Sequence, residues 1–257
     1  MPLPLRRTLL LALLALLALP SLAHAAGVQT TYDLASPSGS LFPSDRFTTT
    51  DPSQLTGLRV DLPKPNCAVR PSDCADIDVL NTLDGFNLQP RISIPFTGVV
   101  DVASVSSANV FLVRLSDGAV TRINQIVWEP AVTTLHAESD ALLSQSARYL
   151  LVATNGIDDA AGDPIESSSF LRDLNYGHAK DRADKAYRKD LIEALNHSLP
   201  AGVAKGDVVA ASLFSTQSAT TLLEQVRRQI KASNPAPADF ALGTADERTV
   251  FPLSSIT

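Results

Sequence analysis

Residues 90–115, PRISIPFTGVVDVASVSSANVFLVRL, decide the fold class. In the first part of this stretch, Ile92, Ile94 and Phe96 occupy alternate positions, a period typical of a strand with one buried face. The last part, residues 110–115, is apolar on both faces, which indicates a central strand covered on both sides. The stretch therefore predicts a core of short β-strands.

Turn signals separate this stretch from further strand candidates. The pair Asp117-Gly118 predicts a tight hairpin turn, because glycine tolerates the positive φ that such turns require. Strand candidates follow at residues 120–123, 125–128, 133–136, 147–153 and 208–214. Short strands at this spacing predict an antiparallel β-sandwich over residues 84–217.

Two helical segments accompany the predicted strands. Residues 181–199 carry apolar side chains at helical spacing and predict a helical insertion at about 170–200. Its expected buried stripe is Ala183, Tyr187, Leu191, Ala194, Leu195 and Leu199. Ser218 is the expected N-cap of a second helix in residues 218–257, which ends in a linker segment. We expect this second helix to bury an apolar face and to dock a partner through Leu222, Leu223, Val226 and Ile230.

The strand region resembles a known family. Residues 90–115, together with ALLSQSARYLLVATNGIDDAAGDPI at 141–165, look like the bacterial immunoglobulin-like domain first described in surface-layer proteins. The shared features are a strand that ends in phenylalanine before a turn, and a later segment that closes the unit. The resemblance implies an immunoglobulin-like antiparallel β-sandwich, so the expected fold class is mainly β, with a helical insertion and a C-terminal helix.

A wider part of the chain is similar to the N-terminal region of secreted bacterial lipases and esterases. The similarity includes RPSDCADIDVLNTLDGFNLQPR at 70–91 and DVVAASLFSTQSATTLLEQVRRQI at 207–230. In that family an immunoglobulin-like module precedes an α/β-hydrolase domain that holds the catalytic serine. The resemblance implies that this chain, which stops about where the hydrolase domain would begin, is a supporting module.

The first 25 residues predict a cleaved secretory signal. Arg6 and Arg7 supply a positive region, residues 9–19 are apolar, and AHA at 23–25 is a small-x-small cleavage motif. A membrane anchor is the competing interpretation, but the apolar run is shorter than the roughly 20 residues that a spanning helix needs. We therefore expect an exported protein, periplasmic or extracellular, with no membrane span in the mature chain.

The composition predicts a folded, acidic protein. Hydrophobic residues make up 45% of the chain, enough to build a core. Loss of two arginines with the signal changes the formal charge from −6 to −8. A surface of this sign argues against a nucleic-acid partner.

Residues 26–83 are rich in proline, serine, threonine and aspartate, which predicts an extended N-terminal arm. Cys67 and Cys74 are the two cysteines of the chain. In an exported protein we expect them to form one short-range disulfide. Metal binding is the rival interpretation, and it needs further ligands that are absent nearby.

The sequence contains no recognised catalytic motif. A nucleophile elbow needs G-x-S-x-G, and the one pair of glycines four apart, Gly202 and Gly206, has Ala204 between them. His136, His178 and His197 have no serine or aspartate at a spacing that suggests a triad, and are interpreted as surface or capping residues. Asp158, Asp159 and Asp163 could hold calcium, but a polar turn explains them equally well. We expect no catalytic, cofactor-binding or metal-binding residues.

Three functional hypotheses remain. The first is a non-catalytic accessory module that positions or supports an α/β-hydrolase domain, in cis or in trans. The second is a stand-alone exported binding or adhesion protein, which would expose no apolar patch on its C-terminal helix. The third is an ester hydrolase with an unrecognised site, which turnover and labelling of a serine would reveal.

Overall fold

The computed structural model describes residues 27–33, 36–174 and 182–233. The predicted signal, His178 and the linker from residue 234 lie outside these ranges. Within them are strands β1 (Thr48–Thr50), β2 (Leu58–Val60), β3 (Ile92–Pro95), β4 (Val110–Arg114), β5 (Val120–Thr121), β6 (Ile123–Glu129), β7 (Thr134–Ser139), β8 (Arg148–Thr154) and β9 (Val208–Ser215). The helices are α1 (Pro71–Leu80), α2 (Ser169–Arg172), α3 (Arg182–His197) and α4 (Thr221–Ala232).

Two antiparallel sheets form the predicted immunoglobulin-like sandwich. One has three strands in the order β3-β7-β6, and the other has four in the order β5-β4-β8-β9. β1 and β2 pair separately as a short antiparallel ribbon. Gly118 has a φ of +72°, so the predicted hairpin turn between β4 and β5 uses the backbone freedom of glycine. The predicted fold class, a mainly β sandwich with helical additions, is confirmed.

The main core lies between the two sheets. Alternate residues of each strand point inward, and the buried set includes Ile92, Ile94, Leu112, Leu135, Ala137, Leu151 and Phe214. These side chains are 3% exposed or less, so each contributes to the hydrophobic stabilisation of the fold.

A second core covers the outer face of the four-stranded sheet. The intervening strand residues, among them Phe111, Val113 and Leu150, pack with Leu191 and Leu195 of α3. Strand β4 is therefore buried on both faces, as its sequence predicts. The reason is the helical insertion, which covers the side that would otherwise meet water.

Helix α3 differs from the prediction in its first turn. Ala183, expected on the buried stripe, is exposed, whereas Asp184 is completely buried. The buried side of α3 therefore includes a carboxylate. Arg188, four residues further on, pairs with Asp184 at 3.1 Å, which gives the carboxylate a partner inside the protein.

The N-terminal arm contributes to the sandwich core. Leu41 and Phe47 are at most 4% exposed and belong to the main cluster, and Val60 is 3% exposed. Cys67 and Cys74 form the expected disulfide, which links α1, a helix within the arm, to the segment just before it. The arm thus packs on the sheets instead of extending away from them.

The described residues from Ser218 onward form a separate compact unit. Its helix α4 has Thr220 at the N-cap, so the expectation that Ser218 occupies this position is wrong. The expected apolar face is present, but none of its residues is buried. No helix among the residues that the structure describes is long and apolar enough to cross a membrane.

Candidate functional site

Tyr187 of α3 is the centre of a closed polar cluster on the four-stranded sheet. Its hydroxyl oxygen accepts the backbone N–H of Leu213 at 3.1 Å. The hydroxyls of Ser44 and Tyr32 lie 3.1 Å from the same oxygen, and that of Ser212 lies 3.2 Å away. Burial, with the neighbouring Tyr187, raises the pKa of Tyr32 well above its usual value. The cluster fixes α3 against β9 and leaves little bonding capacity for a ligand.

A buried carboxylate lies beside this cluster. Asp45 accepts hydrogen bonds from the backbone N–H of Ser215 at 2.7 Å and from its hydroxyl at 3.0 Å. Arg148 reaches Asp45 at 3.3 Å and Asp190 of α3 at 2.8 Å. Burial raises the pKa of Asp45 to about 6, although Arg148 and the Ser215 hydrogen bonds act in the opposite direction. Loss of solvation therefore outweighs the ion pair at this position.

These groups line an open cleft of about 530 Å³ between the sheet, α3 and the β1–β2 ribbon. Of its three charged groups, Arg148 contacts the other two, Asp45 and Asp190. The arrangement is suited to holding α3 in place, because each charge is compensated by a protein partner.

A different polar cluster lies on the outer face of the three-stranded sheet. Ser93 of β3 is directly opposite His136 of β7, and Glu129 of β6 lies on the same face, diagonal to His136. The Ser93 hydroxyl is 2.9 Å from Nδ1 of His136, and Nε2 of His136 is 3.0 Å from Oε2 of Glu129. A hydroxyl, an imidazole and a carboxylate are thus joined in order by hydrogen bonds.

The fold imposes this order. The backbone N–H and carbonyl of Ser93 form hydrogen bonds with Phe42, on the side of β3 that faces away from β7. Ser93 and His136 are therefore a non-hydrogen-bonded pair of the antiparallel sheet. In antiparallel sheets such pairs bring side chains closer together than hydrogen-bonded pairs do. The two residues are 43 positions apart in the chain, which is why no local spacing in the sequence indicates their contact.

The N-terminal arm encloses these three side chains in a groove of about 360 Å³, which we call the His136 groove. One wall comes from the arm and α1, with Phe42, Leu62 and Ile77, and the other from the sheet. His136 is consequently only 12% exposed, while Glu129 at the rim is 48% exposed. His136 is thus more than a free surface residue, because the arm partly covers it and both ring nitrogens form hydrogen bonds.

The remaining predicted residues lie in simpler settings. Asp159 accepts the backbone N–H groups of Ala161 and Asp163, as an ordinary turn requires. No group of three or more candidate metal ligands occurs within the described ranges. His197 is exposed at the C-terminal end of α3. Ser93 and Glu129 are not predicted from the sequence, because their only local signal is their alternation with inward-facing residues.

Comparison with known proteins gives limited similarity. No family model and no curated protein matches the chain. Solved structures that resemble part of it include the S-layer protein rSbsC(31-844), with 17% identity over 39% of this chain and 15% of that chain, at a TM-score of 0.28. Domains 1-6 of surface layer protein SbsC share 15% identity over 42% of this chain and 16% of that chain, at a TM-score of 0.28.

The N-terminal part of the bacterial S-layer protein SbsC is similar at the same level. It shares 17% identity over 39% of this chain and 26% of that chain, at a TM-score of 0.27. The chain spans between 15% and 26% of the length of these three proteins. Likenesses this slight assign neither a family nor a function.

Proposed function

We propose that this chain is an exported immunoglobulin-like module that positions or supports an α/β-hydrolase domain and does not supply the catalytic serine of that domain. The observation that carries the proposal is the apolar stripe of α4. Leu222 is 63% exposed, Leu223 70%, Val226 43% and Ile230 53%. A contiguous exposed stripe of large apolar side chains is typical of a surface that binds another protein.

The chemistry of α4 supports a docking role. Leu222, Val226 and Ile230 are spaced at i, i+4 and i+8, the pattern by which an amphipathic helix anchors in a groove. Glu224, Arg227, Arg228 and Lys231 are charged and exposed. The partner surface that fits this helix is therefore apolar, with a polar rim.

The disulfide between Cys67 and Cys74 supports export. Disulfides persist in oxidising compartments and are rare in the cytosol. The resemblance of residues 70–91 and 207–230 to the region that precedes a hydrolase domain supplies the identity of the proposed partner.

A stand-alone protein that binds its target through the sandwich surface is the competing function. Such a protein has no use for an uncovered apolar helix face, which raises its tendency to aggregate. The accessory role explains the stripe by covering it.

The first test is the coding sequence beside the gene. We expect a hydrolase domain with G-x-S-x-G, either continuous with this chain or in an adjacent frame. If neither is present, the proposal is overturned.

The second test compares two double variants expressed with that hydrolase. Leu222→Gln with Val226→Gln should lower the yield of active hydrolase by about tenfold or more, because central, fully desolvated residues carry most of the binding energy of an interface. Arg228→Gln with Lys231→Gln, on the opposite face of α4, is the matched control and should leave the yield unchanged. Equal yields from both double variants would contradict the docking role of the stripe.

A further inference from the structure

The His136 groove combines a polar triad with an apolar wall. We propose that Ser93, His136 and Glu129 form an acyl-transfer site that hydrolyses small uncharged esters. This activity is independent of the proposed supporting role, because the site lies in the sandwich and does not involve α4.

The hydrogen bonds of a neutral His136 fit one tautomer of its ring. A neutral imidazole donates through one nitrogen and accepts through the other. Glu129 accepts the N–H of His136 Nε2 at 3.0 Å, which leaves the lone pair of Nδ1 facing the Ser93 hydroxyl at 2.9 Å. Ser93 is thus the nucleophile and His136 the general base. Glu129 is a positioning residue that fixes the tautomer and stabilises the imidazolium as it forms.

The reaction balances with these groups and one water molecule. Ser93 Oγ attacks the ester carbonyl carbon while its proton passes to His136 Nδ1. The C–O bond to the alcohol then breaks, and the alcohol leaves with that proton, so the acyl group remains on Ser93. Water attacks the acyl-serine, gives one proton to Nδ1, and releases the acid as the proton returns to Ser93 Oγ.

The groove selects the class of substrate. Phe42, Leu62, Ile77 and Val132 present apolar surface to the bound molecule, and the volume of about 360 Å³ fits a short acyl chain. The carboxylate of Glu129 at the rim disfavours anionic esters. The expected substrates are neutral esters of short-chain acids.

The backbone limits the expected rate. Ser93 donates its own N–H to the Phe42 carbonyl at 2.8 Å, so this group does not stabilise the developing oxyanion. Oxyanion stabilisation is usually the largest catalytic contribution. Turnover should therefore be slow and should favour esters with good leaving groups.

The test uses the purified mature chain and p-nitrophenyl butyrate. Ser93→Ala and His136→Gln should each lower kcat/KM by about 100-fold or more, the usual contribution of base-assisted attack. Glu129→Gln should lower kcat by about tenfold with little change in KM, because it acts only through the imidazole. His197→Gln, at an exposed histidine, is the matched control for non-specific imidazole catalysis and should retain the full rate.

A fluorophosphonate probe supplies a second measurement. Mass spectrometry should locate the adduct on Ser93 in the wild-type chain, and pretreatment with the probe should abolish turnover. A rate that Ser93→Ala leaves unchanged overturns the proposal, and so does the absence of a Ser93 adduct. Neither result affects the supporting role, which depends on the α4 variants.

Discussion

The two outer faces of the sandwich are covered in different ways. On the four-stranded sheet, α3 packs directly on the strands and Leu191 is fully buried. On the three-stranded sheet, the N-terminal arm and α1 leave a groove, and Ile77 of α1 is only partly buried. Both faces carry polar clusters beside open space. In the first, Arg148 pairs with Asp45 and Asp190, whereas the second joins a hydroxyl, an imidazole and a carboxylate in order.

The difference separates stabilising polar groups from groups available for chemistry. Tyr187 and Asp45 are held by partners from several elements, so moving them disrupts the packing of α3. His136 is also oriented on both sides, but its partners are a hydroxyl and a carboxylate, and all three side chains line the His136 groove. The ordered hydroxyl, imidazole and carboxylate, which the cleft beside α3 lacks, mark the candidate site.

The largest expected effect comes from breaking the closed face. Leu191→Ala should lower the free energy of unfolding by about 2–5 kcal/mol, because it removes a fully buried side chain and leaves a cavity. Urea unfolding of the mature chain measures this change. Ile77→Ala, on the helix that covers the open face, is the matched comparison and should cost about 1 kcal/mol or less. Equal losses of unfolding free energy would show that α1 packs on the three-stranded sheet as tightly as α3 packs on the four-stranded sheet.

The next effect concerns the pH dependence of the closed face. The pKa of Asp45 rises from 3.8 to about 6 on folding. Between these values the folded state holds a proton that the unfolded state releases, so wild-type stability falls as pH rises from about 4 to about 6. Relative to Asp45→Asn, which does not titrate, the wild type should lose about 3 kcal/mol across this window.

The control for this pH effect is Asp117, whose pKa lies below its usual value because Arg114 and the Ala119 N–H bind its ionised form. Its lowered pKa predicts the opposite sign, so the wild type should become slightly more stable relative to Asp117→Asn as pH rises. A slope of the same sign for both variants would contradict the assigned burial of Asp45.

Sequence patterns predicted the features that depend on near neighbours. The alternation of Ile92 and Ile94, the glycine at the β4–β5 turn and the apolar stripe of α3 all act over a few residues, so their structures follow from local periodicity. Burial of Asp184 could not be predicted in this way. It depends on Arg46, about 140 residues earlier in the chain, whose Nε lies 3.9 Å from the Asp184 carboxylate.

The candidate site is non-local for the same reason. The site is formed by residues of three strands, Ser93, His136 and Glu129, and strand register brings them together. A shift of one residue in that register would move a side chain to the other face of the sheet. The wall of the groove comes from the arm, whose composition predicts an extended segment but gives no indication of the surface on which it packs.

The smallest expected effect is on the stability of the open face. His136→Gln removes one hydrogen bond to Ser93 and one to a carboxylate that is 48% exposed, and water can replace both. The free energy of unfolding should therefore fall by less than about 1 kcal/mol. Tyr187→Phe, which deletes a hydroxyl from the closed cluster, should cost about 1–3 kcal/mol, because its partners remain buried without water. If His136→Gln lowers the free energy of unfolding as much as Tyr187→Phe does, the His136 cluster contributes to the packing of the fold. A loss of ester turnover in His136→Gln would then reflect lost stability, and Ser93→Ala and the probe adduct would decide the catalytic role.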